Sequence, residues 1–175
     1  MIVLVGFMGA GKTTVGRLLA AHLALPFTDT DHVVEQREGR PIPATFTALG
    51  EEGFRDLEER AVADVLAGPE AVVSLGGGAC GREATRRRLR AHTVVHLRVS
   101  LEQTRARTAG DANRPVLQRP DLPALHAARQ LLYDEVATVA VPTDGRTAEE
   151  VARDVLALIE QHAEQHRTAP DPEDR

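Results

Sequence analysis

Residues 2–13 decide the fold of this chain, and they read IVLVGFMGAGKT. The first four residues are apolar and largely β-branched, which is typical of a strand buried on both faces of a parallel sheet. The remainder, from Gly6 to Thr13, matches the phosphate-binding pattern G-x-x-x-x-G-K-[ST] at every fixed position. The stretch therefore predicts a strand, a phosphate-binding loop (P-loop) and the start of a helix in direct succession.

The fixed residues of this loop suit the phosphates of a nucleoside triphosphate. Its glycines let backbone N–H groups wrap the phosphates at a helix N-terminus, where the partial positive charge of the helix favours anions. Lys12 reaches the β- and γ-phosphates, and the Thr13 hydroxyl binds Mg²⁺. The nucleotide-binding residues predicted here are Gly9, Ala10, Gly11, Lys12, Thr13 and Thr14.

On either side of the loop, strand patterns alternate with helical patterns. Helices are predicted over residues 12–24, 31–38, 53–66, 81–90, 101–108, 123–137 and 148–161, and further strands over 71–75, 93–97 and 138–141. The alternation predicts a doubly wound α/β fold, a three-layer α/β/α sandwich around a central parallel sheet. We expect one domain over residues 1–161, with a long polar loop at about 109–123 and a disordered tail at 162–175.

Composition excludes several classes of protein. The net charge is -5 and no basic block is interleaved with aromatic residues, which argues against nucleic-acid binding. The single cysteine, Cys80, rules out an internal disulfide and fits a reducing compartment; we expect it to be buried. No run is long and apolar enough for a signal peptide or a membrane span. We expect a soluble, cytoplasmic monomer.

Two acidic residues, Asp29 and Asp31, follow the first helix. If this segment is extended, both carboxylates project the same way, beside the P-loop. One could hold the outer shell of a metal ion while the other accepts a hydrogen bond from an attacking hydroxyl group. In the alternative interpretation, Asp31 is only a helix N-cap and Asp29 a turn residue.

Three consecutive glycines, residues 76–78, follow a predicted strand and are costly in backbone entropy. A ligand lying on bare backbone would explain them, although a flexible turn is the alternative. The basic residues open to a functional interpretation are Arg55, Arg107, Arg114 and Arg129. The alternative for each is a solvated charge on a helix, with Arg55 pairing with Glu58 three residues on.

Taken in order, these motifs resemble the shikimate kinase family over residues 2–159. The resemblance is carried by GFMGAGKTTVG at 6–16, DTDH at 29–32, GEEGFR at 50–55 with Glu58, GGG at 76–78, Arg114-Pro115, and Arg129 with Leu132-Tyr133.

The resemblance implies a kinase that transfers the γ-phosphate of ATP to the 3-hydroxyl group of shikimate, with Mg²⁺. It implies that Asp31 contacts the substrate hydroxyls as catalytic base, and that Asp29 holds Mg²⁺ with Thr13. Lys12 and Arg114 would act on the transferring phosphate, Arg114 from a mobile lid loop. The remaining implied contacts are Arg107 against adenine, Arg55 and Arg129 on the carboxylate, Gly77 and Gly78 beside the ring, and Phe46 and Phe54 as pocket walls.

Three other functions remain open from the sequence. A gluconate kinase would share the fold and the P-loop without needing this set of arginines and glycines. A catalytically silent nucleotide-binding module is a second possibility, opposed by the joint presence of Lys12, Asp29, Asp31 and Arg114. A metal-dependent hydrolase is the third, but only His162 and His166 have helical ligand spacing, within the predicted tail.

Overall fold

The computed structural model of the protein describes residues 1–109 and 119–167. Within these ranges five strands form one sheet: β1 (Ile2–Val5), β2 (Phe27–Asp29), β3 (Val72–Ser74), β4 (Thr93–Arg98) and β5 (Val139–Pro142). Their order across the sheet is β2-β3-β1-β4-β5, and every neighbouring pair is parallel. The predicted α/β architecture with a central parallel sheet is confirmed.

The helices of the described residues connect these strands. They are α1 (Lys12–Leu23), α2 (Thr30–Glu38), α3 (Ile42–Leu66), α4 (Glu83–Leu89), α5 (Leu101–Arg107), α6 (Leu122–Val136) and α7 (Ala148–Arg167), with a 3₁₀ turn at Ala79–Gly81. None of these helices is both long and apolar enough to cross a membrane.

The position of β1 in the sheet determines where a ligand can bind. Strand β1 lies between β3 and β4, and its residues Val3, Leu4 and Val5 are fully buried, as the apolar run predicted. Because all five strands are parallel, their carboxyl ends meet at one edge of the sheet, where open α/β sheets bind ligands. The P-loop follows β1, Asp29 is the last residue of β2 and Gly76 lies two residues after β3, so the fold brings all three to this edge.

Helix α3 begins much earlier than the predicted residue 53. It starts at Ile42, with a proline in its first turn, and is interrupted at Gly50, whose φ of 70° and ψ of -179° are not helical. Proline is well tolerated in the first turn of a helix, whereas a glycine can leave the helical conformation without a steric penalty. The sequence pattern after Gly50 therefore revealed only the second part of a kinked helix.

The start of α2 differs from both interpretations of the acidic pair. Asp29 is the N-cap, and its Oδ1 accepts a hydrogen bond from the backbone N–H of Asp31 at 3.1 Å. Asp31 therefore lies inside the first helical turn, neither extended nor capping. With its backbone in the extended conformation, the Asp29 side chain is well placed to accept a hydrogen bond from a free N–H two residues on, which is why Asp29 caps the helix.

The sequence also missed one strand and the end of one helix. Strand β2 was not predicted, because three residues are too few for a periodic pattern. Helix α7 continues to Arg167 instead of ending at residue 161, so the tail predicted from residue 162 begins with helix. Polar residues such as Glu164 and Gln165 have good helix propensity without any apolar period. The rest of the tail and most of the loop predicted at 109–123 lie outside the described residues.

Candidate active site

The P-loop joins the end of β1 to the start of α1. Gly11 caps the helix with a left-handed φ of 89°, a conformation that disfavours side chains. Lys12 Nζ donates hydrogen bonds to the carbonyl oxygens of Gly6 at 2.9 Å and Phe7 at 3.3 Å. The ammonium group thus lies along the loop itself, at the N-terminus of α1, where anions are stabilised.

Thr13 and Asp29 meet across the sheet edge. The Thr13 hydroxyl donates a hydrogen bond of 3.0 Å to Asp29 Oδ2, while the other carboxylate oxygen caps α2. This geometry places a hydroxyl and a carboxylate oxygen beside the phosphate-binding loop. Hard oxygen ligands of this kind suit Mg²⁺, which binds one or two protein oxygens and takes the rest from water and phosphates.

A metal site built from protein side chains alone is absent from residues 1–109 and 119–167. No group of three or more His, Cys, Asp or Glu side chains there is arranged to hold an ion. The Thr13 and Asp29 pair therefore fits a metal that arrives with a nucleotide better than a resident metal centre.

The Asp31 carboxyl group faces the inside of the site. Burial, followed by the nearby carboxylates of Glu58 and Asp29, raises its pKa to about 6 against the opposing charges of Lys12 and Arg55. A carboxylate with a pKa close to neutral can accept a proton in a reaction and release it afterwards. Asp31 is therefore the described carboxylate best suited to act as a general base.

Arg55 and Glu58 form a mostly buried ion pair on α3. Their atoms Nη1 and Oε2 are 2.6 Å apart, with 14% and 2% of the two side chains exposed. Burial raises the pKa of Glu58, and the Arg55 guanidinium opposes that rise. The pairing matches the spacing noted in the sequence, but the solvated-charge interpretation of Arg55 is wrong.

Two of the three glycines, Gly76 and Gly78, make room for protein side chains. A Cβ on Gly76 would lie 2.3 Å from Asp31 Oδ1 and 2.4 Å from Glu58 Oε1, and one on Gly78 would lie 2.0 Å from Arg55 Nη1. Only at Gly77 is there space, with no neighbour of the added Cβ closer than 3.8 Å. Two of the glycines are therefore explained by the chain's own charged groups, whereas the sequence suggested a ligand or a flexible turn.

A cleft of about 230 Å³ opens beside these glycines. Its walls include Arg55, Arg129, Gly77 and Gly78, four of the residues predicted to bind substrate. Tyr133 closes one side, and its hydroxyl donates a hydrogen bond to the Gly77 carbonyl oxygen. The fold therefore brings two guanidinium groups from different helices to one small concave surface.

Other predicted residues support this cleft without lining it. Phe46 and Phe54 stack on each other with ring centroids 4.2 Å apart, and the Arg55 guanidinium lies 5.8 Å and 5.3 Å from their respective centroids. These two rings hold Arg55 in place. Cys80, by contrast, does line the cleft. It is buried as expected, and burial raises the pKa of its thiol to about 12, so the thiol remains protonated at neutral pH.

On the opposite side of the P-loop lies Arg107. Its guanidinium donates hydrogen bonds to the Gly9 carbonyl oxygen and to the Thr143 hydroxyl, both at 3.0 Å. Arg107 thus connects the P-loop to the loop that follows β5. Of the remaining predicted residues, Ala10 is buried and Thr14 exposed, while Arg114 lies outside the described residues.

Taken together, the arrangement suits transfer of a phosphoryl group to a hydroxyl of a small anion. An anion-binding loop with a lysine, a buried carboxylate that can take a proton, and a pair of guanidinium groups converge at one sheet edge. Phosphoryl transfer requires mainly positioning and charge neutralisation, which these groups can provide.

Comparison with known proteins identifies the chain's relatives. A family model described as shikimate kinase matches residues 8–160. A shikimate kinase of Pseudomonas aeruginosa (strain LESB58) is 46% identical over 163 residues, covering 90% of this chain and 95% of the relative. Among solved structures, a shikimate kinase from Acinetobacter baumannii in complex with shikimate has a TM-score of 0.87 and 39% identity, covering 91% and 92% of the two chains.

A more distant structure is similar in fold alone. A gluconokinase from Sinorhizobium meliloti 1021 has a TM-score of 0.58 at 21% identity, covering 97% of each chain.

Proposed function

This chain belongs to the shikimate kinase family, and we propose that it transfers the γ-phosphate of ATP to the 3-hydroxyl group of shikimate. The products are shikimate 3-phosphate and ADP, and the reaction belongs to aromatic amino-acid synthesis. The observation that carries the proposal is the cleft in which Arg55 and Arg129 face a common space beside Gly77 and Gly78. Guanidinium groups are well suited to the planar carboxylate of such a substrate.

The nucleotide would bind at the P-loop. Backbone N–H groups of residues 9–14 receive the phosphates, and Lys12 moves its hydrogen bonds from the loop carbonyls to the β- and γ-phosphate oxygens. Mg²⁺ held by Thr13 and Asp29 would neutralise charge on the phosphates. The 3.0 Å contact between these two side chains supports their joint role.

Asp31 would accept the proton of the 3-hydroxyl group as its oxygen attacks the γ-phosphorus. The new O–P bond forms while the bond to the bridging oxygen of ADP breaks, and the proton remains on the Asp31 carboxyl until it is released to water. The raised pKa of about 6 and the position of Asp31 above Gly76 support this role.

The substrate carboxylate would be bound by Arg55 and Arg129, with Gly77 and Gly78 against the ring. Phe46 and Phe54 would act through Arg55, because both rings lie against its guanidinium.

Two further arginines complete the proposed site. Arg107, which is hydrogen-bonded to Gly9 and Thr143, would lie beside the adenine. Arg114 would contact the transferring phosphate from a lid, an assignment that rests on its sequence motif alone.

We also propose that the enzyme acts as a cytoplasmic monomer on small molecules, without nucleic-acid or membrane partners. The net charge of -5 and the single buried cysteine support this assignment. Sedimentation equilibrium of the full chain at micromolar concentration tests the monomer directly.

The activity is tested by ADP release with Mg-ATP and shikimate, against gluconate and no acceptor. Shikimate-dependent release is expected, and equal release with gluconate would reject the proposed acceptor.

Substitutions separately test the proposed carboxylate clamp, which consists of Arg55 and Arg129. Arg55→Ala and Arg129→Ala should each weaken shikimate binding roughly 10- to 100-fold, as expected for lost charge-assisted hydrogen bonds, and change ATP binding much less. Arg98→Ala is the matched control, because Arg98 is an exposed arginine at the end of β4 that pairs with Asp134 of α6 and does not line the cleft. Equal losses of ATP and shikimate affinity would contradict the clamp.

A further inference from the structure

The two guanidinium groups of the cleft are held in different ways. Arg55 is paired with Glu58 and Glu51 and lies against two phenylalanine rings. Arg129, by contrast, makes no hydrogen bond or ion pair with any residue in the described ranges 1–109 and 119–167. Its guanidinium lies 5.5 Å from the centroid of the Phe7 ring. Among the described residues, the Phe7 ring is therefore in closer contact with this guanidinium than any hydrogen-bonding or ion-pair partner.

Phe7 itself is held firmly. It is a variable residue of the P-loop pattern, yet its side chain is 0% exposed. Its carbonyl oxygen accepts hydrogen bonds from Lys12 Nζ at 3.3 Å and from the Ala10 N–H at 3.2 Å. The His126 ring packs edge-on against it, with centroids 4.9 Å apart at 75°, and His126 Nε2 lies 2.9 Å from the Val99 carbonyl oxygen.

We propose that Phe7 is a positioning residue for Arg129, so that a residue of the nucleotide-binding loop sets the affinity for the acidic substrate. The proposal rests on the proposed function, because it assigns Arg129 to the substrate carboxylate. The face of an aromatic ring attracts a cation without consuming its hydrogen-bond donors. Phe7 can therefore hold the guanidinium in place and leave all five N–H groups available to an anion.

Preorganisation is the physical gain. An arginine side chain has many rotamers, and restricting it to one of them on ligand binding lowers the affinity. A contact that already restricts the side chain in the free protein removes this cost. Glu58 does this for Arg55 with charge. A carboxylate paired with Arg129, as Glu58 is with Arg55, would compete with the substrate carboxylate for the guanidinium N–H groups. The Phe7 ring does not accept hydrogen bonds from these groups and so does not compete.

The test is Phe7→Leu, which keeps an apolar side chain but removes the π face. Direct calorimetric titration should show the Kd for shikimate rising roughly 3- to 30-fold, the range expected for a partly buried cation–π contact. The Kd for ATP should change less than about twofold, and kcat at saturating shikimate should fall by a smaller factor than kcat/KM. The matched control is Phe27→Leu, which removes a similar contact, Arg17 over Phe27 at 5.8 Å, outside the cleft. Shikimate affinity should be unaffected by it.

A double-mutant cycle then shows whether the effect of Phe7→Leu on shikimate affinity depends on Arg129. In an Arg129→Ala background, Phe7→Leu should add less than about a twofold loss of shikimate affinity, since the group it positions is gone. A loss as large as in the wild-type background would overturn the proposal. An unchanged shikimate Kd in Phe7→Leu, or an equal rise in the Kd values of ATP and shikimate, would also overturn it.

If Phe7→Leu does not fold, the same measurements are made on a second variant, Phe7→Met, which fills the space with a flexible apolar side chain. If neither variant folds, the ring is needed for packing and the positioning role is rejected. Failure of the proposed function would appear differently, as a wild-type protein that neither binds shikimate nor releases ADP with it.

Discussion

Arg55 donates a hydrogen bond of 2.6 Å to Glu58, and only 2% of the Glu58 side chain is exposed to solvent. A buried carboxylate without a partner is strongly unfavourable, so each of these residues depends on the other. The pair also fixes the guanidinium that we propose to bind the substrate. One relationship on α3 therefore serves both stability and substrate binding.

Replacing Glu58 with Gln should weaken both the stability of the fold and the binding of shikimate. We expect Glu58→Gln to lower the free energy of unfolding by roughly 1–3 kcal/mol, because Arg55 loses its charged partner in a buried site. The Kd for shikimate should rise severalfold as Arg55 loses its fixed position. Urea denaturation and calorimetry measure the two effects. Glu51→Gln is the control, since Glu51 pairs with the same arginine at 3.6 Å but is 58% exposed, and should cost less than about 0.5 kcal/mol. Equal costs for the two variants would refute the importance of burial.

Substitution of Asp31 by Asn should abolish activity and stabilise the fold. Loss of a general base typically lowers kcat by roughly 10²- to 10⁴-fold. Because burial and the neighbouring carboxylates of Glu58 and Asp29 raise the pKa of Asp31 from 3.8 to about 6, the ionised group destabilises the folded state above pH 6. Removing it should raise the free energy of unfolding at pH 8 by roughly 1–3 kcal/mol. Chemical denaturation should show this gain shrinking as pH falls from 6 towards 4; a loss of stability at pH 8 would contradict it.

The pH dependence of the reaction should have an acid limb near the pKa of Asp31. The base must be unprotonated, so kcat/KM for shikimate should be constant above about pH 7 and fall roughly tenfold per unit below about pH 6. Initial rates between pH 4.5 and 8.5 measure this profile. A profile flat down to pH 5 would exclude Asp31 as a base with a raised pKa.

The same profile should move in Glu58→Gln. The negative charge of Glu58 contributes to the raised pKa of Asp31, so its removal should lower that pKa and shift the acid limb to lower pH. Glu51→Gln is again the comparison and should leave the limb in place. A shift of the acid limb to higher pH would mean that the variant buries the Asp31 carboxyl more deeply, and that this raises its pKa by more than the loss of the Glu58 charge lowers it.

Gly76→Ala should be far more harmful than Gly77→Ala to stability. An added Cβ at Gly76 would collide with the carboxylates of Asp31 and Glu58, whereas at Gly77 it meets nothing closer than 3.8 Å. Overpacking of this kind costs roughly 1–3 kcal/mol. Denaturation curves of the two variants provide the test, and indistinguishable midpoints would show that the carboxylates can move aside freely.

Asp29 can be tested for metal binding separately from helix capping. Asn caps helices as well as Asp, so Asp29→Asn should preserve stability while raising the Mg²⁺ concentration needed for half-maximal activity at least tenfold. Asp29→Ala should lose the cap as well, at about 1 kcal/mol. Mg²⁺ titrations of the rate, with chelator as the zero point, measure the first effect. An unchanged Mg²⁺ requirement in Asp29→Asn would remove Asp29 from the metal site.

Local patterns were sufficient for the architecture and the nucleotide-binding loop. A strand, a glycine-rich turn and a helix start follow each other within residues 2–13, and each depends on neighbouring residues alone. The alternation of strand and helix periods likewise predicted the parallel sheet, because such strands must be joined by crossover helices. Membership of the shikimate kinase family could be inferred from the same contiguous motifs.

Relationships between distant residues were decided only by the tertiary structure. The sequence contained Gly76, Asp31 and Glu58 but no sign that the glycine makes room for both carboxylates. It also contained Phe7 and Arg129, more than a hundred residues apart, without indicating that one lies against the other. Such contacts depend on the order of strands in the sheet and on where a kinked helix packs, which nearest-neighbour propensities do not encode. Residue types and periods thus determined the elements and their chemistry, whereas the folded chain decided which charges are buried together.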